Sequence, residues 1–237
     1  GPVGLHCDAR RRGGVLTHEM AAPWERQKSG LKDVAEAIRD TLALFLLWFQ
    51  LPIPLFWLLV HPAAGFWRRH PRACYYVVGP TVWLSVAVML FGGRDWWLAE
   101  RFWPAAAGWI PAALGSALII ADFWMIRRIE RVISVRVLVG LPELFSARSP
   151  EGAGRPTQVV ESGLYARVRH PRYLGMMMSW VGAALISGAS RLGALAVVFI
   201  GLALLVTELE ERELLNRLGE SYADYRRRVP RLIPRVW

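Results

Sequence analysis

The chain has 237 residues, 54% of them hydrophobic and 12 of them tryptophan, with a mean hydropathy of +0.28; this is too apolar for an ordinary soluble domain and describes an integral membrane protein. The formal charge of +10 would suit nucleic acid if the basic residues formed a polar domain, but they cluster between apolar segments, as the positive-inside rule expects, so no nucleic-acid partner is predicted. Cys7 and Cys74 are too few and too scattered for a disulfide framework or a thiolate metal site.

Residues 1–30 contain Arg10-Arg11-Arg12 and no apolar period, and read as a disordered tail. An amphipathic start at residue 31 leads into a first apolar element, 41–60, about long enough for a bilayer of roughly 30 Å at 1.5 Å per residue. Pro52 and Pro54 interrupt it, so it either kinks or folds back as two half-helices, and the sequence leaves both open. Further elements are predicted at 75–91 and 104–126, the latter stopped by Arg127-Arg128. The connection between them carries Trp96, Trp97 and Trp103, an aromatic belt expected on the outer side. Elements at 174–188 and 192–207, joined by a very short turn near Ser190-Arg191, form an antiparallel hairpin. Residues 127–173 carry 9 Arg against 4 Glu, which predicts that this segment and the C-terminus share the cytoplasmic side. The expected fold is all-α and polytopic, with about five transmembrane elements: N-terminal elements over 31–126 and a C-terminal core over 127–237.

Two polar clusters flank the hairpin. Arg169-His170-Pro171-Arg172-Tyr173-Leu174-Gly175 precedes it, and Glu208-Leu209-Glu210-Glu211 follows it. Arg169 and His170 offer donors for a carboxylate, Pro171 ends the preceding backbone in an extended form, and the helix start that follows favours an anion. Neighbouring helix positions point about 100° apart, so at most one of Glu210 and Glu211 faces a given ligand directly. Glu210, which shares a stripe with Leu214 and Leu218, is the favoured one, leaving the other to pair with an arginine.

These clusters, with Trp180 and the tail Gly219, Tyr222, Tyr225, Arg228, Val229-Pro230-Arg231, resemble the isoprenylcysteine carboxyl methyltransferase and phospholipid methyltransferase superfamily of integral membrane enzymes. The resemblance implies S-adenosylmethionine as cofactor, without a metal, and methyl transfer to a lipophilic acceptor such as an isoprenoid carboxylate or a phospholipid. It places Arg169, His170, Pro171, Tyr173, Gly175, Glu210 and Glu211 at the cofactor, under a C-terminal helical lid bearing Tyr222, Tyr225 and Arg228. Gly163-Leu164-Tyr165 stands where the family has Gly-Pro-Tyr, and Gly152-Ala153-Gly154 is the nearest match to the Gly-x-Gly of the phospholipid branch.

On the acceptor side the candidates are Gln50, Asp122, Trp124 and Trp180, with lateral access from the bilayer near the interrupted first element. No catalytic base is assigned, because His170 is the only histidine near the motifs. The arginine-rich composition suggests a bacterial source, hence an inner-membrane protein with its cofactor site toward the cytoplasm and no obligate protein partner. A nicotinamide-dependent reductase of the sterol reductase type and a non-catalytic membrane scaffold are the alternative readings.

Overall fold

The computed structural model describes residues 23–103, 108–131 and 159–234; Gly152-Ala153-Gly154 and most of the predicted tail lie outside them. The chain forms two compact units, residues 1–39 and 40–237. The first contributes, among the described residues, the start of helix α1, Pro23–Gln50. The second contains everything else that bears on the site, and among the described residues its regular elements are helices, with an isolated bridge between Arg101 and Ala189.

Prolines set several helix boundaries. Pro52 and Pro54 cannot donate to the preceding turn, so α1 gives way at Leu51 to α2, Pro52–Val60, but Leu51 keeps right-handed helical angles (φ −59°, ψ −33°) and the chain runs on. This settles the alternative between crossing and folding back. Asp40 pairs with Arg101 at 2.7 Å, whereas His61 pairs with Glu213 at 2.9 Å. The first element therefore runs from the end bearing the tryptophan-rich connection to the end bearing the polar motifs.

Helix α3, Pro71–Gly92, widens into π-helical turns at Cys74–Val78 and Val88–Gly92. It is followed by the short helix Arg94–Leu98, then α4, Trp109–Glu130, and α5, Pro171–Ser187. Gly188 (φ +70°) and Ala189 turn the chain into α6, Ser190–Leu218, so the turn lies just before the predicted Ser190-Arg191. Gly188 also has Trp103 Nε1 only 2.7 Å from where a Cβ would stand, which ties the turn to the tryptophan-rich connection. Helix α6 continues well beyond the predicted 207, and after Gly219 the chain forms α7, Glu220–Arg228. Among the described residues four helical stretches, including the combined Gly30–Ala63, are long and apolar enough to cross a membrane. The fifth, α5, has 17 residues and reaches about 25 Å.

Burial is arranged for lipid. Leu42, Phe45, Phe49, Leu84, Val88, Ile120, Phe123 and Val197 are exposed, while Asp122, Gln50, Ser179 and Glu211 are buried; polar groups at membrane depth belong inside a bundle. Helices α4 and α5 run antiparallel and very close. A Cβ on Gly115 would lie 2.5 Å from Gly182 O, and one on Gly182 would lie 2.7 Å from Gly115 O. Small residues let transmembrane helices approach in this way, and Gly175, Ser179 and Gly182 form that face of α5.

Candidate cofactor and acceptor sites

The two polar clusters meet at the end of the bundle where α5 begins and α6 emerges. Glu211, with no solvent exposure, is the hub. Its Oε1 accepts hydrogen bonds from Arg169 Nε at 2.9 Å and Arg231 Nε at 3.1 Å, and His170 Nε2 lies 3.0 Å away. Its Oε2 accepts Arg231 Nη2 at 2.9 Å and lies 3.4 Å from Arg226 Nε. Charge-assisted bonds of this kind are among the strongest a protein makes, and a buried carboxylate needs them.

Arg169 is equally occupied. Besides Glu211, its Nη1 donates to the carbonyls of Arg226, at 3.0 Å, and Val229. Backbone bonds run from Arg169 N to Pro230 O at 2.9 Å and from His170 N to Arg231 O at 3.0 Å. The Arg-His and Val-Pro-Arg motifs are thus fastened to each other, and Arg169, expected to receive a carboxylate, works as the clamp between them.

Glu210, one position along α6, is placed differently: its side chain is 35% exposed, with Oε2 3.7 Å from His170 Nδ1. Pro171 opens α5 and Tyr173 packs its ring 5.9 Å from that of His170. Gly175, expected beside the cofactor, faces α4 instead, since a Cβ there would collide with Asp122 Oδ1.

Helix α7 is anchored by aromatic burial. Tyr222, Tyr225 and Val229 form one cluster with Val159, Leu214, Leu215 and Leu218, and Tyr225 Oη donates to Tyr165 O at 2.7 Å. Burial first, and then the charge of Glu211, pushes the Tyr222 phenol above its ordinary range. Burial raises Tyr225 as well, although the nearby Arg169 opposes it, and burial with the charge of Glu210 raises Tyr165. Arg228 reaches outward to Glu161 at 2.8 Å.

A second cluster lies deeper, where α1, α4 and α5 meet. Asp122 Oδ2 accepts Gln50 Nε2 at 2.9 Å and Ser179 Oγ at 2.6 Å, and Oδ1 accepts Arg172 Nη1 at 3.2 Å. Gln50 and Asp122, both acceptor-side candidates, are thereby joined. Trp180 is fully buried in the apolar core, edge-on to Phe199 at 6.0 Å. Trp124 lies half exposed on the outside of α4 beneath Arg128, whose guanidinium carbon is 5.0 Å from the ring centre, and it is not part of the cluster.

Three participants, Arg231, Ser179 and His61, were not among the expected site residues. Arg231 and Ser179 carried a readable signal, the first within Val-Pro-Arg and the second four residues after Gly175 on the small-residue face. His61 carried none: it reaches Glu213 across 152 positions and stacks on Trp57 with ring centres 5.1 Å apart.

A polytopic helical membrane protein with two polar motifs fastened beside a hairpin matches known proteins in the same region. Residues 110–221 match the phospholipid methyltransferase family model. The chain is 29% identical over 165 residues to a methanethiol S-methyltransferase of Pseudomonas deceptionensis, covering 67% of this chain and 58% of that one. It is 31% identical over 173 residues to methanethiol S-methyltransferase 2 of Bradyrhizobium diazoefficiens, covering 72% and 53% respectively. A shorter stretch of 91 residues, 37% of this chain, is 36% identical to the Delta(14)-sterol reductase TM7SF2 of Mus musculus and covers 21% of it. Residues 110–221 therefore carry a phospholipid methyltransferase domain, and the chain is homologous to these membrane methyltransferases. It spans little more than half the length of the two methyltransferases it was compared with. No solved structure matches it.

Proposed function

We propose that this protein transfers a methyl group from S-adenosylmethionine to a lipophilic acceptor in the membrane. The observation that carries the reading is the division of labour between two adjacent glutamates. Glu211 is consumed by Arg169, His170 and Arg231, while Glu210 keeps a third of its side chain open beside His170. The donor set suits the cofactor: Glu210 for its ammonium, and for its carboxylate Arg226, whose side chain is 40% exposed and lies 3.4 Å by Nε from Glu211. His170, Pro171 and Tyr173 hold the start of α5 against this opening, and α7 covers it.

When bound, S-adenosylmethionine supplies a methyl group on a sulfonium, which the acceptor's lone pair displaces in line. The chain's part is to orient both partners away from water. The acceptor reaches the Gln50–Asp122 region laterally from the bilayer, and the cofactor end faces the cytoplasm of a bacterial inner membrane. Cysteines placed at 100 and 220 should then label from opposite sides, and labelling from one side would reject that orientation. The relatives are named for methanethiol, a small apolar thiol, so an alkyl thiol is the first acceptor to try.

Membranes containing the protein, given S-adenosylmethionine labelled in its methyl group and decanethiol, should pass label into the organic extract, and Glu210→Gln membranes should pass much less. Equal label in extracts with and without the protein would reject the reading.

A further inference from the structure

Gln50 is 3% exposed and held by its amide nitrogen on Asp122. Its amide oxygen is buried and has no hydrogen-bond partner among the described residues. Turning the amide over would not help, because the oxygen would then face the carboxylate of Asp122, which is itself fixed by Ser179 and Arg172. Pro54, four residues on, has no N–H to give the Gln50 carbonyl its usual helical bond. Leaving a buried acceptor unpaired is unfavourable, so a molecule bringing a donor to this point would be held there.

We propose that Gln50 Oε1 selects the methyl acceptor, favouring neutral nucleophiles that carry their own hydrogen-bond donor, thiols and amines, over carboxylates. The sulfur or nitrogen lone pair bonds to the methyl carbon as the cofactor's carbon–sulfonium bond breaks, S-adenosylhomocysteine leaves, and the S–H or N–H proton passes to the neighbouring Asp122 carboxylate. A carboxylate would present only lone pairs to Oε1 and would set a second anion beside Asp122 in a low-dielectric interior. The proposal rests on the acceptor lying at Gln50 and Asp122, as in the proposed function. Gln50 acts here on specificity, apart from the cofactor's charged groups at the motif end.

The test compares decanethiol, decylamine and decanoate as acceptors for the purified full chain in lipid nanodiscs, with S-adenosylhomocysteine affinity measured on the same samples. The wild type should methylate the thiol or the amine at least about tenfold faster, in kcat/KM, than the carboxylate. Gln50→Met, which keeps the chain length but removes both amide atoms, should shrink that preference about tenfold while S-adenosylhomocysteine affinity stays within about twofold, since one lost hydrogen bond is worth about that factor. Decanoate turned over as fast as the other two by the wild type, which needs no variant to fold, would overturn the proposal. An unchanged preference in folded Gln50→Met, or S-adenosylhomocysteine binding with none of the three methylated, would do so too. Failure of the wild type to bind S-adenosylhomocysteine would instead overturn the cofactor reading, and this proposal with it.

Discussion

Arg231 grips Glu211 with two nitrogens, Nε on Oε1 at 3.1 Å and Nη2 on Oε2 at 2.9 Å. Through that bidentate contact the C-terminal segment closes on the same carboxylate that holds Arg169 and His170, so Glu211 joins α6, the start of α5 and the segment that follows α7. Glu211→Gln should therefore behave as a structural lesion. Removing one partner of a buried ion cluster costs about 3–5 kcal/mol, and the variant should show a clearly lower melting temperature and faster proteolysis after residue 219. Wild-type stability in Glu211→Gln would show that the cluster holds nothing together.

Glu210→Gln should do the reverse. Its carboxylate lies at the opening with 35% exposure, so the fold should keep its melting temperature while S-adenosylhomocysteine affinity drops about ten- to a hundredfold, the worth of a charge-assisted bond of roughly 1.5–3 kcal/mol. Unchanged affinity would remove Glu210 from the cofactor site.

How far the sequence could go is visible at these two positions. The angular separation of neighbouring helix residues is enough to say that one glutamate faces the opening and the other pairs with arginine. It cannot say which arginine, because Arg231 arrives from 20 positions away along a tail whose path depends on the burial of Tyr222 and Tyr225. For the same reason Arg169, a plausible carboxylate donor by residue type, is found on Glu211 and two backbone carbonyls. The membrane elements were legible from hydropathy, but their ends were not: α6 outlasts its apolar run because Leu214, Leu215 and Leu218 are covered by α7. Pro52 and Pro54 left the course of the first element open, and only long-range pairs, Asp40 with Arg101 and His61 with Glu213, resolve it.

The close approach of α4 and α5 gives a third expectation. Gly182→Ala would push a methyl group to within 2.7 Å of Gly115 O, a backbone atom that cannot step aside. Overpacking of this kind costs about 1–3 kcal/mol. Gly201→Ala, with nothing within 4 Å of the new carbon, is the matched control and should be neutral or slightly stabilising. Thermal unfolding of the two variants side by side checks this, and equal melting temperatures would contradict the packing.

A fourth expectation concerns alkali. Tyr165, Tyr222 and Tyr225 all have phenols raised above the ordinary value, with burial as the largest cause. Below about pH 10 both folded and unfolded chains keep these protons, so the three groups make no difference to stability. Above it the unfolded chain loses them first, and stability falls as pH rises. Tyr222→Phe, which cannot ionise, should flatten part of the fall between about pH 10 and 11 when melting temperature is followed against pH; an unchanged slope would show that Tyr222 titrates as it does in the unfolded chain.

Whether the fastened motifs form a site for S-adenosylmethionine is decided by calorimetric titration of the detergent-solubilised protein with S-adenosylhomocysteine and, separately, with NADPH. Saturable binding of S-adenosylhomocysteine, weakened by Glu210→Gln, with no heat from NADPH, is the predicted result. Binding of NADPH alone would favour a reductase related to the sterol enzyme, and binding of neither ligand would favour a membrane scaffold; either outcome would rule out a site for S-adenosylmethionine at these motifs.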